Sequence, residues 1–565
     1  MKKLLLMLLV VLMSFSVFAV DFKYTYKGVE LVYTVTSGST CEVKRPEDFR
    51  IESVIIPEVA KYGQKEYSVT AIADSAFERL WHLTSVSIPS SVLKIGRYAF
   101  YLCENLTSVE IPNSVTELDH TFSSCYSLAS IDIPNSVTSL DYTFEFCHSL
   151  NSVVIPNSVT TLSGTFQCCS SLTSIDIPNS VIELYGTFED CYKLASVEIP
   201  NSVTTLYETF QGCSSLTSIE IPNSVTNLKG TFIGCYKLAS VEIPSSVTNL
   251  DGTFIGCTGL TSVENHSSAT ALYETFKGCT GLTSIKIPNS VEYLARTFYG
   301  CTGLISIEIP NSVISLTECF SGCTGLTSVE IPNSVTNLTE CFSGCTGLTS
   351  VEIPNSVTKL DETFVGCVNL SSVVIPDSVI ELNGTFKDCI NLKSVKLSNS
   401  ITSLTKTFEN CFSLESIEIP NSVTEIGYYA FSNCSSLTSV EIPNSVTSIG
   451  NCAFESCSSL TSVTCLATTP PIAYYSSFDW YSNKTLHVPA ESIDMYKTTA
   501  PWSEFWTILD DAYSNVGIKS IETDEINSGK AIQYYNLQGI KISNPENGVL
   551  YIRKSGNRLN KVIMQ

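Results

Sequence analysis

The sequence is short of charge, short of histidine and, beyond its first twenty residues, without a long apolar run. Charged residues are 15% of the 565, against roughly 25% in an ordinary globular chain. The charge present is lopsided, with 32 Lys plus Arg against 55 Asp plus Glu and a formal net charge of −23. The basic face that nucleic-acid phosphates need is therefore missing, and docking on anionic lipid is disfavoured. Five histidines in the whole chain leave little material for His-based catalysis or zinc sites. The sequence contains no His-Glu-x-x-His, Gly-x-Ser-x-Gly, phosphate loop or Gly-x-Gly-x-x-Gly. No catalytic, cofactor-binding or metal-ligating residue is assigned on these grounds, and a non-enzyme is expected. The 23 cysteines are about 4% of the chain, below the roughly 8–10% of a small disulfide scaffold.

The chain opens with a pattern for export. Lys2 and Lys3 precede an apolar run from Leu4 to Phe18, and Val17-Phe18-Ala19 fits a small-residue cleavage site. Residues 1–19 are read as a signal peptide, with the mature chain starting at Val20. The run is too short for a comfortable membrane span, and no later stretch is longer. A secreted or surface location with no transmembrane segment in the mature chain is expected.

Internal repetition dominates the rest. A Leu opens the pattern Leu-x-x-(Val/Ile)-x-Ile at Leu83, Leu106, Leu128 and onward to Leu414, Leu437 and Leu460. From Leu106 to Leu414 the 308 residues divide into 14 steps of 22; the first step and the last two are 23, giving 18 units. The units 311–332 and 333–354 differ only at Ile314/Thr336 and Ser315/Asn337, which marks duplication. In the unit beginning at Cys213, Ile219 and Ile221 alternate with Ser218 and Glu220 as on a strand facing the core. Pro222-Asn223-Ser224 turns the chain, and Val225, Leu228 and Phe232 return it along the opposite wall. One such coil cannot bury its own apolar face, so coils stack. The predicted fold is a β-rich solenoid with parallel strands, coils of 22–23 residues and little helix. The longer units carry an extra residue in Ile95-Gly-Arg-Tyr-Ala99-Phe100 and its counterparts ending at Phe431 and Phe454. A change of coil shape is predicted near 100–120 and 408–430.

The recurring Cys-x-x-Leu-x-Ser-(Val/Ile)-x-Ile-Pro-x-Ser-Val, with its Ala-Phe or Thr-Phe pair, resembles the BspA-like leucine-rich repeats of bacterial surface proteins. On that resemblance 69–466 is the solenoid. Segment 20–68, with Tyr24, Tyr26, Tyr33 and Cys41, resembles the family's β-rich N-terminal cap. Segment 467–512, with Pro470, Pro471, Trp502, Phe505 and Trp506, resembles its C-terminal cap. After a linker (513–530), the module 531–565 holds short alternating strands around Tyr535-Asn-x-x-Gly539 and Gly548-x-x-Tyr551-Ile. It resembles the sorting domains of the Bacteroidetes type IX secretion system, although a plain terminal β-module fits as well. The resemblance implies adhesion or protein binding to host matrix or other cells through a multivalent face. A structural spacer of the cell envelope, with no specific ligand, is the alternative.

Three columns are the candidate sites. Cys stands three residues before the repeat Leu in 17 of 18 units, including Cys213, Cys235, Cys257, Cys279 and Cys301. Metal binding or a disulfide ladder is one reading. Small buried thiols filling a core corner is the preferred one, because one-coil spacing suits neither zinc ligands nor a disulfide. Cys319 and Cys341 replace the repeat Thr and stack one coil apart, and Cys452 is within reach of Cys457. The second column is acidic in 12 units: Glu110, Asp132, Asp176, Glu198, Glu220, Glu242, Glu264, Glu308, Glu330, Glu352, Glu418 and Glu441. It is a binding stripe for a basic protein or divalent cations, or else a solvated face that blocks edge aggregation. The adjacent Ser column (Ser108, Ser130) is read as close packing. The third is the Asn after Pro (Asn113, Asn135), read as a ladder hydrogen-bonding the turn backbone. One unit departs from all this: Asn265-His266 replace Ile-Pro and Ala269 replaces Val. It is read as a decayed repeat in preference to a functional notch.

Overall fold

The computed structural model describes residues 19–479 and 481–510, with strands at 532–535, 541–542, 550–555 and 558–563. The apolar leader up to residue 18 and the linker 513–530 lie outside the described residues. The chain forms two compact units, one of 1–379 with 383–392 and the other of 380–382 with 393–565. Each is a parallel-strand β-solenoid, and together they hold about 19 turns.

The first unit begins with strands β1 (Asp21–Tyr26), β2 (Val29–Val35), β3 (Thr40–Lys44), β4 (Ser53–Ile55), β5 (Val59–Tyr62) and β6 (Lys65–Ile72). β1, β2 and β3 are antiparallel neighbours, β3 runs parallel to β6, and β5 pairs antiparallel with β6. Both walls of the solenoid grow from this sheet region. β6 pairs in parallel with Lys94–Ile95, and β4 with Ser85–Ser87, which pairs with Ser108–Glu110.

The coils obey the 22-residue arithmetic. Ser240–Ile243 pairs in register with Ser262–Asn265, and Glu183–Tyr185 with Thr205–Tyr207 on the return wall. Leu216, Val225, Leu228 and Phe232 are fully buried, as are their counterparts in successive coils. The phenylalanines stack into a spine: Phe254, Phe276 and Phe298 lie 5.5 and 5.7 Å apart, centroid to centroid, and within 7° of parallel.

Polar groups close the coils to one another. The buried Thr253 hydroxyl donates to the Leu228 carbonyl one coil back, 2.9 Å away, and the Phe232 amide donates to Thr253 O at 2.9 Å. At the turn the donor is serine: Ser224 Oγ donates to Val203 O at 2.6 Å, as Ser158 does to Val137. This corrects the expected asparagine ladder. Asn113, Asn135 and Asn223 point outward; the following serine is closer to the neighbouring carbonyl and has one fewer rotatable bond to order. The Ser108 and Ser130 side chains are likewise exposed, not packed.

Each coil also places two residues in left-handed backbone, four apart. Glu318 (φ 53°) and Gly322 (φ 75°) are one such pair, Glu340 (φ 54°) and Gly344 (φ 72°) the next. Coil length is adjusted on the return wall. In the 23-residue coils Ala99, Ala430 and Ala453 stand buried where shorter coils have Thr. Gly96 there approaches the previous coil so closely that a Cβ would collide with the Asp74 amide nitrogen.

The second unit carries the same ladders. Ser403–Thr405, Glu425–Ile426 and Ser448–Ile449 are parallel on one wall. Ser439–Ile442, Ser462–Cys465, Thr485–His487 and Thr507–Leu509 are parallel on the other. Its spine ends at Phe478, 4.8 Å from Phe454. Phe478 meets Tyr481, Trp502 and Phe505 in a buried aromatic cluster. Trp502 Nε1 donates to Pro471 O and Tyr496 OH to Ala467 O, each at 2.8 Å. Among the described residues the single α-helix is Ile493–Thr498. The strands Ile532–Tyr535, Lys541–Ile542, Leu550–Ser555 and Arg558–Ile563 form an antiparallel sheet.

Candidate functional site

The alternation Leu-Thr-Ser-Val-Glu-Ile decides what the strand wall shows to solvent. With period-two geometry, Val241 and Ile243 point into the core while Ser240 and Glu242 point out. Glu198, Glu220, Glu242, Glu264, Glu308, Glu330 and Glu352 are all exposed in one column of the first unit. Parallel pairing without a register shift sets Glu242 directly beside Glu264. Like charges opposite one another on adjacent strands are unfavourable, so the column is a sustained negative strip. Lys286 interrupts it, as do the exposed Val154 and Val374.

Shallow grooves follow this wall. One is lined by Ser85, Ser108, Glu110, Ser130 and Asp132. Another lies between Glu330, Glu352 and Val374. A third holds Glu220, Glu242, Asn223, Ser245 and His266. Here Glu264 and His266 approach to 4.0 Å, both well exposed. The described histidines His82, His120, His148, His266 and His487 fall on separate turns.

The thiols lie elsewhere, inside. Cys213, Cys235, Cys257, Cys279 and Cys301 are fully buried, and no disulfide joins the cysteines. Each thiol donates to the carbonyl of a Phe in the preceding coil: Cys213 to Phe188 at 3.1 Å, Cys257 to Phe232 at 3.0 Å. That donor role was not visible in the sequence, where only thiol size argued for the column. Burial pushes Cys257 and Cys301 up to about 12, and Cys213, Cys235 and Cys279 well above the ordinary thiol. Such thiols are poor nucleophiles and poor ligands. Cys319 and Cys341 are buried beside each other's coil as thiols. Cys168 and Cys452 are partly exposed exceptions.

The return wall carries an ion ladder that sequence reasoning missed, although 22-residue spacing of Glu274, Arg296 and Glu318 signals it. Arg296 Nε and Nη2 grip the Glu318 carboxylate at 2.8 and 2.9 Å, and Nη1 reaches Glu274 at 3.6 Å. Beyond the Arg296–Glu318 pair, Glu340 and Glu362 continue the column as carboxylates. Burial, then repulsion from Glu318 and Glu362, raises the Glu340 pKa.

A family model for the BspA-type leucine-rich repeat region matches residues 70–187, 185–296, 272–384 and 360–486. A leucine-rich repeat protein from Bacteroides ovatus is 29% identical; the match covers 70% of this chain and 99% of that one, with a TM-score of 0.55. A leucine-rich cell surface protein from Faecalibacterium prausnitzii is 28% identical over 55% of this chain and 94% of that one, at TM-score 0.38. A leucine-rich repeat protein from T. pallidum is 32% identical over 36% of this chain and 86% of that one, at TM-score 0.29. None of the curated proteins compared matches. Among the described residues no helix is long and apolar enough to cross a membrane.

Proposed function

The chain belongs to the BspA-type leucine-rich repeat family, and from that membership we propose that it is a secreted or cell-surface protein that binds other proteins through its acidic strand wall. Members of such families are typically surface scaffolds without catalysis, and we assign no reaction to this one. The observation that carries the reading is the in-register column from Glu198 to Glu264, resumed at Glu308, Glu330 and Glu352. Nothing in the coil's packing requires acid there, since Val154 and Val374 occupy equivalent exposed positions. A basic or cationic partner laid along the wall meets the same weak contact once per coil. Avidity then follows from geometry without any strong single site. Adhesion to host matrix or to other cells is the role this favours.

In the same reading residues 1–19 direct export, and 20–68 and 467–512 close the exposed ends of the solenoid 69–466. The buried cluster of Tyr496, Trp502 and Phe505 supports the C-terminal cap. The antiparallel strands within 531–565 support a separate β-module joined by the linker 513–530, with a sorting role in secretion. The test is a pull-down from solubilised matrix proteins by the full chain and by a variant with Glu198, Glu220, Glu242, Glu308, Glu330 and Glu352 changed to Lys. The variant is expected to lose its partners, and loss by raised salt alone should parallel it. Equal capture by both sinks the acidic-wall reading. No capture by either favours the envelope spacer.

A further inference from the structure

The coil that breaks the repeat brings three ligand groups together on the strand wall. His266 stands where the neighbouring coils have Pro244 and Pro288. It lies two residues after Glu264, just past the strand Ser262–Asn265, and both side chains are exposed. Parallel pairing of Ser240–Ile243 with Ser262–Asn265 sets Glu242 alongside. One carboxylate oxygen from each glutamate and one imidazole nitrogen all lie within 4.8 Å of one another. All three side chains are exposed, and Glu242 and His266 line the groove with Glu220, Asn223 and Ser245, so small rotamer changes can draw the three onto one ion. The proline of other coils has no donor atom to offer at this position.

The same coil is imperfect inside. Asn265 replaces the inward Ile of its neighbours; its Nδ2 and the Ser267 hydroxyl are buried without partners. Decay of the repeat accounts for those losses. It does not account for an imidazole beside two carboxylates whose mutual repulsion a cation would relieve.

We propose that Glu242, Glu264 and His266 form a site for a divalent transition-metal ion of the zinc class. Carboxylate oxygens and imidazole nitrogens are both ligands of such ions, and three protein ligands leave the fourth position to water. Calcium takes six to eight oxygens, whereas an imidazole ligand favours zinc, copper or nickel.

The test is titration of the full chain, made without a polyhistidine tag, with Co²⁺ followed by visible absorption and with Zn²⁺ followed by calorimetry. One saturable equivalent is expected, with no thiolate-to-cobalt charge-transfer band. His266→Pro, which restores the residue found in neighbouring coils, and Glu264→Gln should each weaken binding by at least the roughly 10–100-fold that loss of even an outer-shell partner costs. Glu183→Gln, exposed on the return wall, should leave metal affinity unchanged. Absence of a saturable equivalent, a thiolate band, or undiminished binding in His266→Pro overturns the assignment.

Discussion

Alkali should unfold this protein at a pH that ordinary globular proteins tolerate, and the thiol column is the cause. Cys103, Cys147, Cys257, Cys301, Cys389 and Cys457 are all pushed up to about 12, burial being the largest cause in each. In the unfolded chain each returns to about 8.5. Below that value both states keep the proton and the effect vanishes. Above it the unfolded chain alone releases protons, so stability falls as pH rises. One unit beyond the unfolded value, at about pH 9.5, the loss is about 1.4 kcal/mol per thiol. Opening a stretch that holds Cys257, Cys279 and Cys301 then becomes easier by about 4 kcal/mol, a large part of the 5–15 kcal/mol that holds a typical domain. The assay is urea unfolding under reducing conditions at pH 7.5, 8.5 and 9.5, with hydrogen exchange to locate the opening. The midpoint should fall steeply over that range, where the thiols of the unfolded chain titrate ahead of most tyrosines and lysines. A Cys257→Ala, Cys279→Ala, Cys301→Ala variant starts lower but should show a flatter fall, its exchange between 250 and 310 losing most of the pH dependence. A midpoint that holds steady to pH 9.5, or an equal slope in the variant, refutes the argument.

Three further outcomes are expected. Phe276→Ala removes a fully buried ring from between Phe254 and Phe298; it should cost about 3–5 kcal/mol and raise exchange chiefly in the flanking coils, because coupling is local. Ser224→Ala breaks the 2.6 Å bond to Val203 O and should cost about 1 kcal/mol. Asn223→Ala next to it, exposed and outside that ladder, should stay within about 0.5 kcal/mol; a reversed order in chemical denaturation would restore the asparagine ladder. Glu340→Gln should stabilise the chain at pH 7, since the raised Glu340 pKa makes its ionised form unfavourable in the fold. Wild-type stability should recover as pH falls through the folded-state value toward the unfolded one, near 4.3, where the two melting curves meet.

The repeat made the solenoid legible because a period of 22 residues is a global signal, stronger than any local propensity. The strand face followed from the two-residue alternation through Val241, Glu242 and Ile243. What the sequence concealed were choices among polar atoms of similar chemistry. Asparagine and serine both follow the turn proline, and only the distance to the next coil shows that serine makes the bond. The second left-handed position was written in the glycine that precedes Cys in many coils, such as Gly322 and Gly344. The first carried that mark only in some coils, at Gly164, Gly186, Gly230, Gly252 and Gly384; elsewhere residues such as Glu318 and Glu340 hold positive φ and give no such signal. At the strand wall, spacing alone placed the glutamates in a column. The meeting of His266 with two of them depends on register and on side chains sharing one face, which the irregular motif by itself does not state.

Most seams between coils reuse the same few bonds: a serine to a valine carbonyl, a threonine to a leucine carbonyl, a thiol to a phenylalanine carbonyl. Residues 311–332 and 333–354 are almost interchangeable in sequence, and therefore present almost interchangeable surfaces above and below. Excising one whole period rejoins two faces already complementary, and inserting one adds a rung without asking anything new of its neighbours. Reach is thus a quantity that recombination can tune in whole steps, lengthening or shortening the molecule while leaving its ends untouched.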